Sequence, residues 1–121
     1  MGAVAAVTLI PFLQAFATKT GEDMYAWIRE RGWRRDRRRL RSQRKKGIIY
    51  LADPELKILI SFPSDLPPHI VANAALVAQG VGKAPRAGWV GIAWDSSAGG
   101  WTEIPIVTPP RHTVRLRTDE A

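Results

Sequence analysis

The sequence predicts an α+β protein, in which an N-terminal helical arm precedes a small ββαββ module. The module is expected to be a four-stranded, mainly antiparallel sheet covered on one face by one helix. Three observations predict it. Apolar side chains between Phe12 and Ile28 recur at three- and four-residue steps, the period of a helix face. At Gly47 the pattern changes to β-branched and aromatic runs that suit strands. Between two such strand pairs, a nearly uncharged stretch from Pro67 to Gln79 has the composition of a helix lying on a sheet.

Residues 1–17, MGAVAAVTLIPFLQAFA, carry no charged side chain. A secretory signal would begin with basic residues, and none is present, although Ala15-Phe16-Ala17 has the small-residue form of a cleavage site. A membrane span needs about 20 apolar residues, and this run ends at Thr18-Lys19 with Pro11 inside it. Proline is favoured in the first helical turn, so a helix is expected from Pro11. Its stripe is Phe12, Leu13, Phe16, Ala17, Thr20, Met24, Trp27 and Ile28, while Gln14, Lys19, Glu22, Asp23 and Arg29 face elsewhere. Gly21 weakens the middle, and Thr20 followed by Asp23 has the spacing to restart a second helix. Phe12, Leu13, Phe16, Met24, Trp27 and Ile28 form the candidate association face. It packs either on the downstream module or on another protein, with a second copy of the chain as the natural partner.

The segment from Arg29 to Lys46, RERGWRRDRRRLRSQRKK, holds eleven of the eighteen Lys and Arg residues and two of the eleven acids. The net charge of +7 is therefore one cationic bar. Its candidate anion-binding residues are Arg29, Arg31, Arg34, Arg35, Arg37, Arg38, Arg39, Arg41, Arg44, Lys45 and Lys46. Gly32 interrupts the preceding helix, but the spacing of Trp33, Arg37, Leu40 and Arg44 allows a helical line to resume. Without a partner, the bar reads as a solvated basic linker. With one, the partner is anionic: nucleic acid, an acidic membrane surface or an acidic protein. Arginine outnumbers lysine, which suits bidentate contacts to phosphate or carboxylate. Tyr25, Trp27 and Trp33 lie near enough in sequence to stack on bases. No helix-turn-helix, zinc-finger or RNA-recognition signature accompanies the bar, so base-specific reading is not expected.

After the bar come two strands, Gly47 to Leu51 and Leu56 to Phe62, joined by the turn chemistry of Ala52-Asp53-Pro54-Glu55. Ser64-Asp65 ahead of Pro67-Pro68 reads as a helix start, and Gly80 as its C-terminal cap. A second hairpin pairs Trp89 to Trp94 with Trp101 to Ile104 across Asp95 to Gly100. Pro105 assigns the last strand to an edge. Val90, Ile92 and Trp94 form the more apolar side of their strand. The tail from Arg111 alternates Thr113, Arg115 and Arg117 with Val114 and Leu116, the pattern of a short edge strand if it is not a loose tail. The organisation is thus an arm (1–31), a basic bridge (32–46), a module (47–110) expected to fold without the arm, and a tail (111–121).

No cysteine is present, which excludes disulfides, thiolate catalysis and Cys-based zinc sites and fits a cytoplasmic protein. With two histidines, His69 and His112, neither a metal nor another cofactor is expected. Gly80-Val81-Gly82-Lys83 lacks phosphate-loop spacing. Asp53 and Glu55 read as turn residues and Ser64 and Asp65 as caps, so no catalytic set is assigned. The expected function is a non-catalytic interaction or adaptor role. The arm would self-associate or dock a partner, and the bar would bind an anionic surface. The alternatives are peripheral membrane attachment through residues 1–17 plus the bar, and sequence-nonspecific nucleic-acid binding.

Overall fold

The computed structural model describes residues 9–31, 36–54, 56–83, 88–106 and 113–115. Its helices are α1 (Leu9–Gln14), continued by a 3-10 turn (Ala15–Thr18), α2 (Gly21–Arg31), α3 (Arg37–Lys46), α4 (Pro68–Ala72) and α5 (Ala74–Lys83). Its strands are β1 (Ile48–Asp53), β2 (Ile58–Pro63), β3 (Trp89–Asp95), β4 (Gly100–Ile106) and β5 (Val114–Arg115). The α+β class is as expected. The sheet, however, is five-stranded and mixed, in the order β4-β3-β2-β1-β5.

Both hairpins are antiparallel, but β2 pairs parallel with β3 and β1 parallel with β5. A parallel pair needs a long crossover, and α4 with α5 supplies it between β2 and β3. The alternating tail contributes the fifth strand, through the pairs Leu51↔Val114 and Ala52↔Arg115.

Several boundaries differ for local reasons. The arm breaks at Lys19-Thr20, where the Thr20 hydroxyl oxygen accepts the Asp23 N–H at 3.2 Å and starts α2 as a new helix. The crossover helix begins at Pro68, and its preceding residue is Pro67, not Ser64 or Asp65. It breaks at Asn73, and α5 continues through Gly80 to Lys83, so Gly80 is not a cap. Gly47 does end α3. Its left-handed backbone (φ 88°) lets its N–H reach the carbonyls of Gln43 and Arg44. In the β1–β2 turn Asp53 accepts the Leu56 N–H, and Lys57 takes φ 56°.

In the β3–β4 turn, Asp95 accepts the Ser97 hydroxyl at 2.7 Å and the N–H groups of Ser97 and Ala98. These bonds, the Ser97 hydroxyl first, hold its carboxyl below the ordinary aspartate value. A depressed value stabilises the hairpin above the unfolded-state pKa. That contribution is lost as pH falls through the folded one.

Strand pairing decides the sheet faces. Ile49, Leu51, Ile58, Ile60, Phe62, Val90, Ile92, Trp94 and Trp101 share one face. There the Trp101 indole N–H donates to the Ile70 carbonyl at 3.2 Å, fixing α4 over the sheet. Trp94 and Trp101 meet edge to face at 5.4 Å, half-buried, on the side expected for Trp94. The same core takes Leu9, Phe12, Leu13 and Phe16 from the arm, Met24 and Ile28 from α2, and Leu40 from α3. Arm, bridge and module therefore share one core, in which Phe12, Leu13, Phe16, Met24 and Ile28 of the arm's stripe are buried, while Ala17 and Thr20 are exposed. That sharing argues against a module that folds alone.

A fragment beginning at Gly47 is expected to show no cooperative thermal transition by circular dichroism. It would expose the apolar core surface, including that of α4 and α5, that Phe16, Leu13 and Ile28 now share. In the full chain, Phe16→Ala is expected to cost about 3–5 kcal/mol in urea unfolding, because Phe16 is 0% exposed. A cooperative transition for the fragment, or a loss under about 1 kcal/mol for Phe16→Ala, would contradict the shared core.

Candidate functional site

The cationic bar is divided between two helices. Arg29 and Arg31 end α2, Arg37 to Lys46 make up α3, and Arg34 and Arg35 lie outside the described residues, as does Trp33. On α2, the Arg31 guanidinium stands 4.2 Å from the centre of the Trp27 ring, and the Lys19 ammonium 4.4 Å from it. Trp27, stacked on Phe12 at 6.1 Å, is thus a packed aromatic holding two cations.

On α3 the side chains divide by position. Asp36, Leu40 and Gln43 fall on one line and are buried, at 0%, 0% and 5% exposure. Leu40 enters the core. The Gln43 side-chain oxygen accepts the Tyr50 backbone N–H at 3.0 Å, which ties the helix to β1. Asp36 receives three bonds from Arg115 on β5: from its backbone N–H at 3.1 Å, from Nε at 3.0 Å and from Nη2 at 3.2 Å. Arg39 adds an ion pair to Asp36 at 3.5 Å and donates to the Thr113 carbonyl. A buried carboxylate is tolerated when charge and lone pairs are matched this fully.

The remaining cations point outward. Arg44 pairs with Glu22 at 2.8 Å and lies 4.1 Å from the centre of the Tyr25 ring. Both partners of that pair are exposed, so it adds at most about 1 kcal/mol. Arg37, Arg38, Arg41, Lys45 and Lys46 are exposed, and among the described residues no carboxylate pairs with them. Lys45 and Lys46 end the helix, where cations oppose its macrodipole favourably.

Beside this row lies a groove of about 430 Å³, lined by Arg38, Arg39, Ser42, Gln43 and Lys46 of α3 and by Ile48 and Tyr50 of β1. Ile48 and Tyr50, two residues apart, share the sheet face opposite the core. Sequence reasoning located the cations but missed Asp36, Arg115, Ser42, Ile48 and Tyr50. The signal for Asp36 was its place four residues before Leu40, inside an otherwise cationic run. Arg115 and Tyr50 become neighbours of α3 only through strand pairing.

The candidate association face is not exposed. Phe12, Leu13, Phe16, Met24 and Ile28 are at most 4% exposed, and Trp27 is half-buried. Among the described residues no helix is long and apolar enough to cross a membrane, and no three His, Asp or Glu side chains gather as metal ligands. Asp53 is buried at its turn, Glu55 lies outside the described residues, and Ser64, Asp65 and His69 flank the start of α4. Comparison of the chain with protein-family models, with curated proteins and with solved structures finds no match.

Arg115→Met leaves Asp36 buried without its main partner. Breaking a buried pair costs roughly 3–5 kcal/mol. The loss expected here is nearer about 2 kcal/mol, because the Arg115 side chain is 30% exposed. In urea unfolding, Asp36→Leu combined with Arg115→Met should recover part of that loss, since the unpaired carboxylate is gone although the backbone N–H of residue 115 loses its acceptor. Equal losses for the single and double variants would show that Asp36 does not depend on Arg115.

Proposed function

We propose that the chain is a non-catalytic binding module for a phosphate-bearing polyanion and that α3 is its contact surface. One observation carries the reading: Arg37, Arg38, Arg41, Lys45 and Lys46 stand exposed, with no carboxylate paired to them among the described residues, on a helix whose other side is locked into the fold. An anchored helix keeps its cations close together without ordering a flexible linker at the moment of binding. An anion from outside would relieve their mutual repulsion.

Among the anionic partners that the sequence admits, a membrane would draw on residues 1–17 for apolar insertion. Of that stretch, residues 1–8 lie outside the described residues, and Leu9, Phe12, Leu13 and Phe16 are enclosed in the core. Arginine-rich contact suits phosphate, which guanidinium groups grip through paired hydrogen bonds as they do carboxylate, and a polyphosphate chain offers such groups in a continuous row.

The test is binding of labelled inorganic polyphosphate to the full chain across a salt series. Affinity should fall steeply as salt rises, because each neutralised phosphate releases a counterion. Arg37→Glu, Arg38→Glu and Arg41→Glu together should weaken binding by more than about tenfold, with thermal unfolding little changed. No binding at low salt, or equal binding by the triple variant, would overturn the reading.

A further inference from the structure

The groove beside α3 narrows the class of polyanion. Its wall is cationic at both ends, with Arg38 and Arg39 at one and Lys46 at the other. Arg38 and Lys46 stand about 12 Å apart along the helix axis. Its floor is an aromatic ring and an aliphatic side chain, Tyr50 and Ile48, and Ile48 is 44% exposed. The bond from the Tyr50 N–H to Gln43 holds this wall against this floor at a fixed register. Ser42 adds a hydroxyl between the charges.

Inorganic polyphosphate would use the wall and leave the floor wet. A duplex keeps its base faces stacked inside, so it too would meet the cations and leave Tyr50 unused. A single strand alone joins a continuous row of phosphates to flat apolar faces that leave water when they stack on an aromatic side chain. Resting on the polyanion reading above, we infer that the α3–β1 groove binds single-stranded nucleic acid, with phosphates along Arg38 and Lys46 and a base stacked on Tyr50. Recognition is sequence-tolerant, because every base offers a π-face and the wall meets only the backbone.

The test measures fluorescence anisotropy of a short labelled single strand with the full chain at low salt. Competitors are the matching duplex, inorganic polyphosphate and vesicles rich in acidic lipid. The single strand should bind more tightly than its duplex. Tyr50→Ala should weaken it about tenfold while leaving polyphosphate affinity unchanged, and Tyr50→Phe should retain it. Should Tyr50→Ala fail to fold, Ile48→Asp sets a carboxylate on the groove floor at an exposed position and should reduce single-strand binding at least as much. Equal affinity for strand and duplex, with neither floor variant affecting it, would overturn the inference and leave the polyanion reading standing. Binding to vesicles that a single strand fails to displace would also overturn it, in favour of lipid headgroups. Failure to bind polyphosphate and oligonucleotides alike would remove both.

Discussion

The buried carboxylate of Asp36 is the constraint on which the arrangement of the cationic surface depends. It is 0% exposed and receives the backbone N–H, Nε and Nη2 of Arg115, with Arg39 beside it. One acid in a run of eleven bases thereby joins two parts of the chain that are 79 residues apart. The contact fixes the start of α3 against β5, which itself pairs with β1. Leu40 and Gln43 continue the attachment one and two turns along. Remove the carboxylate, and among the described contacts a run of like charges would be held near the sheet by the apolar contact of Leu40, the Gln43 amide and the Arg39 bond to Thr113.

What this attachment does for the cations is electrostatic. Like charges a helical turn apart repel, and a free chain lessens the repulsion by spreading out. Held on a helix, they remain concentrated, and the resulting field attracts an anion. The fold also divides the bar by use. Arg31 packs on Trp27, Arg44 joins Glu22 and Tyr25, and Arg39 serves Asp36, which leaves one exposed row facing a groove. Thus part of the positive charge stabilises the helical layer, and the rest is presented outward, with Arg38 and Lys46 alone of the exposed set lining the groove and Arg37, Arg41 and Lys45 outside it.

The class of fold was legible because it rests on local periods: the switch at Gly47, the proline-led crossover helix and the two hairpins around Asp53 and Asp95. Strand direction was not. Whether β2 and β3 run parallel depends on a crossover spanning the sheet, and no residue in either strand records it. The alternating tail did record a strand at Val114, though not its neighbour. The arm's stripe was visible as apolar, but periodicity is the same whether Phe16 enters its own chain's core or meets another molecule. The site was legible by half. Charge is additive along a sequence, so the cations stood out, whereas Tyr50 and Arg115 reach α3 only through tertiary contacts.

A basic segment that is a fixed part of the fold, and not a solvated linker, keeps its helical amides out of exchange with water. In amide hydrogen exchange of the free protein at low salt, the amides of Arg41 to Lys46 in α3 are expected to exchange slowly, with protection approaching that of Leu51 and Ile60 in the sheet. Exchange of these amides at unprotected rates while Leu51 and Ile60 remain protected would contradict the anchoring of α3, which would then be unfolding independently of the core.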